Sequence, residues 1–253
     1  GVAFVTGGAR GLGNLVAVSF AKEGSRRIVI VDIQGENDMI EGKRKVEEQG
    51  AECLTIRVNV TKEEDVERAV AIAVAKFSRI DYAANFAGVA GPHENICEIN
   101  ISSWEKTRSV NSTSVLISTK HEEPGRQPQQ GSIINCASVN SLQSMAGTAS
   151  YTASKHAVHG ITKAAALEAR QHNIRVNAVS PRFLLTNLAK TGVKEGGAVG
   201  SALWGYFEAR QGRPAQFEEI GDAVVLMSMP WMSLVNGHNL FIDGGFTINE
   251  SNF

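Results

Sequence analysis

Short runs rich in β-branched and apolar residues alternate with longer amphipathic stretches from one end of this chain to the other. The runs Val2–Thr6, Ile28–Asp32, Glu52–Val58, Ile80–Asn85, Ser132–Cys136, Ile174–Ser180 and Asn239–Ile242 predict strands, and helices are expected to fill most of the gaps. Thr152–His172 carries the helical pattern plainly: Ala153, Ala157, Ile161, Ala164, Ala165 and Leu167 recur at helix-like spacing among polar residues. Repeated strand–helix crossovers imply an α/β fold whose parallel sheet is covered by helices on both faces. Two segments break the regularity. His121–Gln130, with two prolines, reads as a surface loop, and Asn187–Gly212, rich in glycine near its middle, reads as a mobile substrate lid. There is no internal repeat and no linker, so residues 1–253 are expected to form one domain.

Composition narrows the function classes. The chain has 253 residues, 43% hydrophobic and 20% charged, enough to bury a substantial core. A net charge of -1 gives no electrostatic reason to bind nucleic acid or an anionic membrane surface. Cys53, Cys97 and Cys136 are widely spaced and without neighbouring histidines, so neither a disulfide framework nor a metal site is expected, and Cys136 reads as a small buried apolar residue. No segment approaches the ~20 unbroken apolar residues of a membrane span, and no secretory leader pattern opens the chain. A cytoplasmic location is therefore expected. The first strand begins almost at Gly1, which suggests that a few residues precede it in the natural protein.

The first candidate chemistry lies directly after the first strand, in Thr6-Gly7-Gly8-Ala9-Arg10-Gly11-Leu12-Gly13. Gly7, Gly11 and Gly13 let the backbone turn tightly, and the helix that follows offers unpaired N–H groups and a partial positive charge to a pyrophosphate, beside Arg10 and Leu12. Asp32 ends the second strand about 20 residues later, with Ile33 next to it, where a carboxylate can accept hydrogen bonds from adenosine ribose hydroxyls. Together these predict a Rossmann-like, doubly wound sheet that binds a dinucleotide. Asp32 would repel the extra phosphate of NADP, so NAD is the favoured cofactor; Arg10 argues the other way, since a guanidinium can pair with that phosphate.

At this point the chain resembles the short-chain dehydrogenase/reductase family over nearly its whole length. The glycine turn is similar to the family's Thr-Gly-x-x-x-Gly-x-Gly, and Asn85-Phe86-Ala87-Gly88 to its Asn-Asn-Ala-Gly, with Phe86 a departure. Asn111 resembles the family's helix asparagine, Ser138 its serine after the fifth strand, and Tyr151-Thr152-Ala153-Ser154-Lys155 its Tyr-x-x-x-Lys. Pro181 to Thr186 resembles the segment that cups the nicotinamide carboxamide, with Arg182 in place of a glycine. Asn59-Val60 stands where relatives commonly place an aspartate under the adenine, and the Asn59 carbonyl offers an acceptor there. Asn236 to Asn239 and Asp243-Gly244-Gly245 resemble the last strand and turn, which implies a homodimer or homotetramer.

The resemblance implies that Asn111, Ser138, Tyr151 and Lys155 are catalytic. Residues four apart on a helix share a face roughly 6 Å apart along the axis. An unassisted phenol is a poor base at neutral pH, and an ammonium one turn away favours its phenolate. Tyr151 is then the acid/base, Lys155 also holds the nicotinamide ribose, Ser138 bonds the substrate oxygen and Asn111 holds a relay water. Substrate contacts are expected from Ser138, Asn140, Gln143, Leu188 and Trp204. Apolar Leu184, Leu185, Leu203, Tyr206 and Phe207 nearby suggest a hydrophobic or aromatic small-molecule substrate. Two other readings stay open: a lyase or isomerase that uses Tyr151 without net redox, and a dinucleotide-binding paralogue without catalysis.

Overall fold

The computed structural model describes residues 1–122, 131–182 and 197–249, with backbone alone for 197–203. In chain order the elements are β1 (Val2–Thr6), α1 (Gly11–Lys22), β2 (Arg27–Asp32), α2 (Glu36–Glu47), β3 (Glu52–Arg57), α3 (Glu63–Phe77) and β4 (Tyr82–Asn85). They continue with α4 (Ile101–Arg108), a π turn (Ser109–Thr113), α5 (Ser114–Glu122), β5 (Gly131–Cys136), α6 (Ala149–Ala169) and β6 (Ile174–Pro181). The last are α7 (Gly197–Gln211), α8 (Phe217–Ser228) and β7 (Asn239–Ile242). All seven expected strands are present, with ends moved by at most two residues.

The strands form one parallel sheet in the order β3-β2-β1-β4-β5-β6-β7. The chain starts in the middle, winds outward through β2 and β3, then crosses to β4 and winds the other way. Alternate residues of each strand point to opposite faces. Ala3 and Val5 of β1 join Val16, Phe20 and Val224 beneath α1, α2 and α8. Val2 and Phe4 join Val66, Ala69, Ala73 and Phe77 of α3 on the other face. Val115, Val158 and Ala166 extend that second layer through α5 and α6. The carboxyl ends of all strands therefore lie along one edge, and the winding reverses between β1 and β4, where crevices for ligands form in such sheets.

Three segments differ in detail from the sequence expectation. The loop expected at His121–Gln130 begins later, because α5 continues through His121 and Glu122; residues 123–130 lie outside the described residues. Tertiary partners hold that helical end: Lys120 and His121 both meet Glu63, and buried Glu122 accepts a bond from Asn85 Nδ2 at 2.9 Å. The segment expected as a mobile substrate lid contains α7 from Gly197 onward, with Phe207 buried against Phe246. Its glycines do not prevent a helix that can pack an aromatic face. The part of that segment at 187–196 lies outside the described residues. The helix expected at Thr152–His172 starts three residues earlier, at Ala149. It tightens to a 3₁₀ turn at Arg170–His172 and stops where Asn173 turns left-handed, at φ 55°.

Candidate active site

The glycine-rich turn is built by close approach. A Cβ on Gly7 would fall 2.7 Å from the Ala87 nitrogen, and one on Gly13 would overlap the Gly7 carbonyl, so each glycine lets two backbones touch. Gly11 differs: its φ is +60° and nothing stands within 4 Å of the Cβ position, which leaves an open cradle at the N-terminus of α1. That geometry fits a pyrophosphate. Thr6 Oγ1 ties the ends of β1 and β4 by accepting from the Phe86 and Ala87 nitrogens at 3.1 and 3.3 Å. Asn14 Nδ2 donates to Gly8 O and Gly42 O at 2.9 and 3.0 Å, binding the turn to α2. Asn14 was missed from sequence, although a lone amide among the apolar positions of α1 was the available signal.

Asp32 is buried and sits where expected. Its Oδ2 accepts from the Ala9 nitrogen at 3.0 Å, and its Oδ1 from the Ile33 and Gln34 nitrogens at 2.8 and 3.2 Å. The carboxylate thus faces the glycine turn. Arg10 lies nearby with Nη1 3.6 Å from Asp38 Oδ2 in an exposed pair, and the Gln34 amide, turned to its satisfied orientation, bridges both. Asn59 is less available than the sequence implied. Its Oδ1 accepts from Thr61 N and Thr61 Oγ1 at 3.1 and 2.8 Å, and its main-chain oxygen accepts from Lys62 N at 2.9 Å. The main-chain oxygen keeps a second lone pair that an adenine amino group could use. The Asn59 nitrogen bonds Asp65, whose carboxyl is held below its ordinary range chiefly by that bond. Val60 is buried in the α3 layer.

Asn85 does not face the crevice. Its amide bonds Glu122 and Asn135 inside the sheet, and Asn135 continues to Thr162, so Asn85 knits β4, β5, α5 and α6 together. Gly88 does lie at the site: a Cβ there would stand 3.3 Å from Asn111 Oδ1 and 4.0 Å from Lys155 Nζ. Asn111 is fully buried within the π turn, a local widening often found at functional positions. Its Oδ1 accepts from Val89 N at 2.8 Å, and its Nδ2 donates to Val89 O at 2.8 Å and Ser154 Oγ at 3.1 Å. Both Nδ2 protons and one Oδ1 lone pair are thus used by the protein, which leaves a relay water the second Oδ1 lone pair or the main chain.

Tyr151 and Lys155 share one face of α6, with Lys155 Nζ 5.6 Å from the Tyr151 ring centroid. Lys155 is 4% exposed and donates to Cys136 O at 2.7 Å, which satisfies one of its three protons and aims the ammonium at the ends of β4 and β5. The neighbouring Cys136 thiol, its pKa pushed up by burial, takes no part. Ser138 opens a 3₁₀ turn, Val139–Ser141. Its Oγ accepts from Asn140 N at 3.2 Å, a bond that leaves the hydroxyl proton to be donated elsewhere. Asn140 Nδ2 bonds Thr152 Oγ1 at 3.0 Å, tying the serine turn to the tyrosine helix. Gln143 ends that turn half-buried.

Pro181 closes β6, and Arg182 continues its ladder, donating from its nitrogen to Ile242 O at 3.2 Å. The Arg182 side chain leaves the site: its Cζ lies 3.3 Å from the centroid of Phe246 and 5.0 Å from that of Phe207. Thr186, Leu184, Leu185 and Leu188 lie outside the described residues, as does the Leu203 side chain. Trp204 Nε1 donates to Glu208 Oε1 at 2.8 Å along α7. An open cleft of about 550 Å³ separates the loop after β4 from the loop before α6. Glu94, Ile96, Cys97, Met145, Gly147 and Ala149 are among its walls. These residues were missed from sequence, because two irregular loops carry no periodic signal.

Residues 7–247 match the family described as Enoyl-(Acyl carrier protein) reductase. The short-chain dehydrogenase srdC of Neurospora crassa is 36% identical, over 98% of this chain and 97% of its own. The chain belongs to the short-chain dehydrogenase/reductase family. Other short-chain dehydrogenase/reductase relatives include (+)-borneol dehydrogenase 2 of Salvia officinalis, 36% identical over 97% of this chain and 89% of its own. Xanthoxin dehydrogenase of Arabidopsis thaliana is 34% identical over 100% and 91%. Among solved short-chain dehydrogenase/reductase structures, levodione reductase superposes with a TM-score of 0.90 at 28% identity, covering 98% of this chain and 97% of that one. A variant of actinorhodin polyketide ketoreductase with NADPH gives the same score, identity and coverage. Membership brings a fold that binds nicotinamide dinucleotides and a general dehydrogenase/reductase activity. Among the described residues no helix is long and apolar enough to cross a membrane.

Proposed function

We propose that this protein transfers hydride between NAD(H) and a secondary alcohol or ketone on a hydrophobic small molecule, with Tyr151 as the acid/base. The observation that carries the reading is the convergence of Lys155 Nζ, the Tyr151 ring and the Ser138 turn at the edge where β4 and β5 end. A bound nicotinamide supplies or accepts the hydride. Tyr151 takes the alcohol proton in oxidation and returns it in reduction. Ser138, its Oγ already accepting from the main chain, donates to the substrate oxygen. Lys155 places a cation beside the phenol and, with its remaining protons, holds the nicotinamide ribose hydroxyls. Asn111 fixes the Gly88–Val89 loop against α6, and proton relay to solvent runs past its main chain.

NAD is favoured over NADP because the Asp32 carboxylate, held against the glycine turn, would repel the extra phosphate, and because Arg10 is engaged by Asp38. Gly7, Gly11, Leu12 and Gly13 form the pyrophosphate cradle, Ile33, Val60 and Ala87 flank the adenosine, and Pro181 meets the carboxamide. The hydrophobic substrate class is supported by the apolar wall of Ile96, Met145 and Ala149, and by relatives named for borneol and xanthoxin. A homodimer or homotetramer is the proposed assembly. The test follows nicotinamide absorbance across secondary alcohols and ketones with each cofactor. Turnover that is lost in Tyr151→Phe supports the mechanism, whereas near-normal hydride transfer by that variant refutes it. Faster turnover with NADPH than NADH refutes the role given to Asp32.

A further inference from the structure

Three side chains from three separate elements meet in the interior behind the serine turn. Ser141 ends the 3₁₀ turn that begins after Ser138, Ser180 lies on β6 immediately before Pro181, and Asn239 opens β7; they are 5%, 0% and 6% exposed. Asn239 Nδ2 donates to Ser141 Oγ at 2.9 Å, Ser180 Oγ donates to Asn239 Oδ1 at 2.7 Å, and the two hydroxyl oxygens are 3.1 Å apart. Proton counting settles the third bond. Each hydroxyl has one proton, and that of Ser180 is committed to Asn239, so Ser141 must donate to Ser180. The result is a closed ring in which every group gives one hydrogen bond and accepts one. Reversing the amide of Asn239 reverses the direction of the ring and leaves it closed, so the conclusion does not depend on which end of the amide is nitrogen.

A closed, buried ring is stiff, since each bond polarises the next and no water is available to replace a lost partner. Its attachment points matter more than its strength. Ser141 N donates to Ser138 O at 2.7 Å, so the ring grips the turn that carries the Ser138 hydroxyl. Asn140 grips the same turn from the opposite side, through Thr152 beside Tyr151. Ser180 and Asn239 belong to the strands whose ends lead into Pro181 and Ile242. We infer that the Ser141–Ser180–Asn239 ring is a positioning device that fixes Ser138 relative to Tyr151 and the end of β6. Its three members are buried and spend their side-chain hydrogen bonds on one another, so they act through Ser138 and not on the reacting atoms. The inference rests on the proposed role of Ser138.

The test is a double-mutant cycle on single-turnover hydride transfer at saturating dinucleotide, with NADH affinity read by fluorescence and unfolding by urea. Ser141→Ala is expected to slow transfer roughly tenfold or more, as small misplacements of reacting groups do, while NADH affinity stays within about twofold. In a Ser138→Ala background the same change should cost nothing further, because the hydroxyl it positions is gone. Ser180→Ala should behave as Ser141→Ala does. Lowered urea stability with an unchanged transfer rate overturns the inference, as does an equal fractional loss in both backgrounds. An inactive Ser138→Ala beside an unimpaired Ser141→Ala removes the inference alone; near-normal transfer by Ser138→Ala removes the role of Ser138 and the inference with it.

Discussion

Asn111→Ala is the change whose cost the structure prescribes most directly. The variant loses three hydrogen bonds: two between the amide and the Val89 main chain, each 2.8 Å, and one to Ser154 Oγ at 3.1 Å. Val89 is half-buried, so water can reach part of the stranded main chain, and each bond is worth about 0.5–1.5 kcal/mol. The sum is about 2–4 kcal/mol. For a domain of this size that corresponds to a fall in melting temperature of about 4–16 °C. Asn111→Asp should recover little of it, since a carboxylate accepts from Val89 N but cannot donate to Val89 O or Ser154, and its charge is buried. Thermal unfolding by circular dichroism reads the stability, and NADH titration reads the Gly88–Val89 loop. A melting temperature within about 2 °C of the parent in Asn111→Ala would show that these bonds do not hold the loop.

Three further outcomes are expected. Gly42→Ala places a methyl on the Ala9 carbonyl, forces α2 away from the glycine turn and should weaken NADH binding by roughly tenfold or more, whereas Gly160→Ala, with open space at its Cβ, should bind normally and stabilise α6 by up to about 1 kcal/mol. Asp38→Asn releases Arg10, and because exposed pairs are worth at most about 1 kcal/mol, NADPH use relative to NADH should rise only about twofold to fivefold; the rise should vanish in an Arg10→Gln background, and its persistence there would show that Asp38 acts by another route. Arg213, with help from the Gln216 nitrogen, lowers the Glu219 pKa from 4.5 to about 2. Because the folded state binds this proton more weakly than the unfolded chain, the stabilisation is present above pH 4.5 and lost as pH falls toward 2. Urea midpoints measured across that window should therefore decline less steeply in Glu219→Gln.

The sheet was legible because its strands are short, apolar and regularly interrupted, and because the candidate site residues stand in a fixed order after particular strands. The site was legible only as far as residue type implied direction. Asn85 and Asn140 looked like ligand contacts, yet both give their amide N–H groups to the protein, one inside the sheet and one on Thr152. Sequence gives no sign of which way an amide turns when two elements far apart in the chain compete for it. The same blindness hid Asn14, Gly42 and the Ser141–Ser180–Asn239 ring, whose members are separated by up to 98 positions. The end of α5 was missed for a related reason, since Glu122 looks like a loop residue until Asn85 is placed opposite it.

Arg182 illustrates the effect of exchanging a small residue for a long one at a strand end. Its guanidinium is seated on Phe246, which Arg210 of α7 also approaches, 4.4 Å from the centroid, and burial together with that second cation draws the Arg182 pKa down to about 9. Two like charges sharing one aromatic ring join α7 to the turn after the last strand. A change at Phe246 would therefore loosen three elements together: its own turn, the end of β6 through Arg182, and α7 through Phe207 and Arg210.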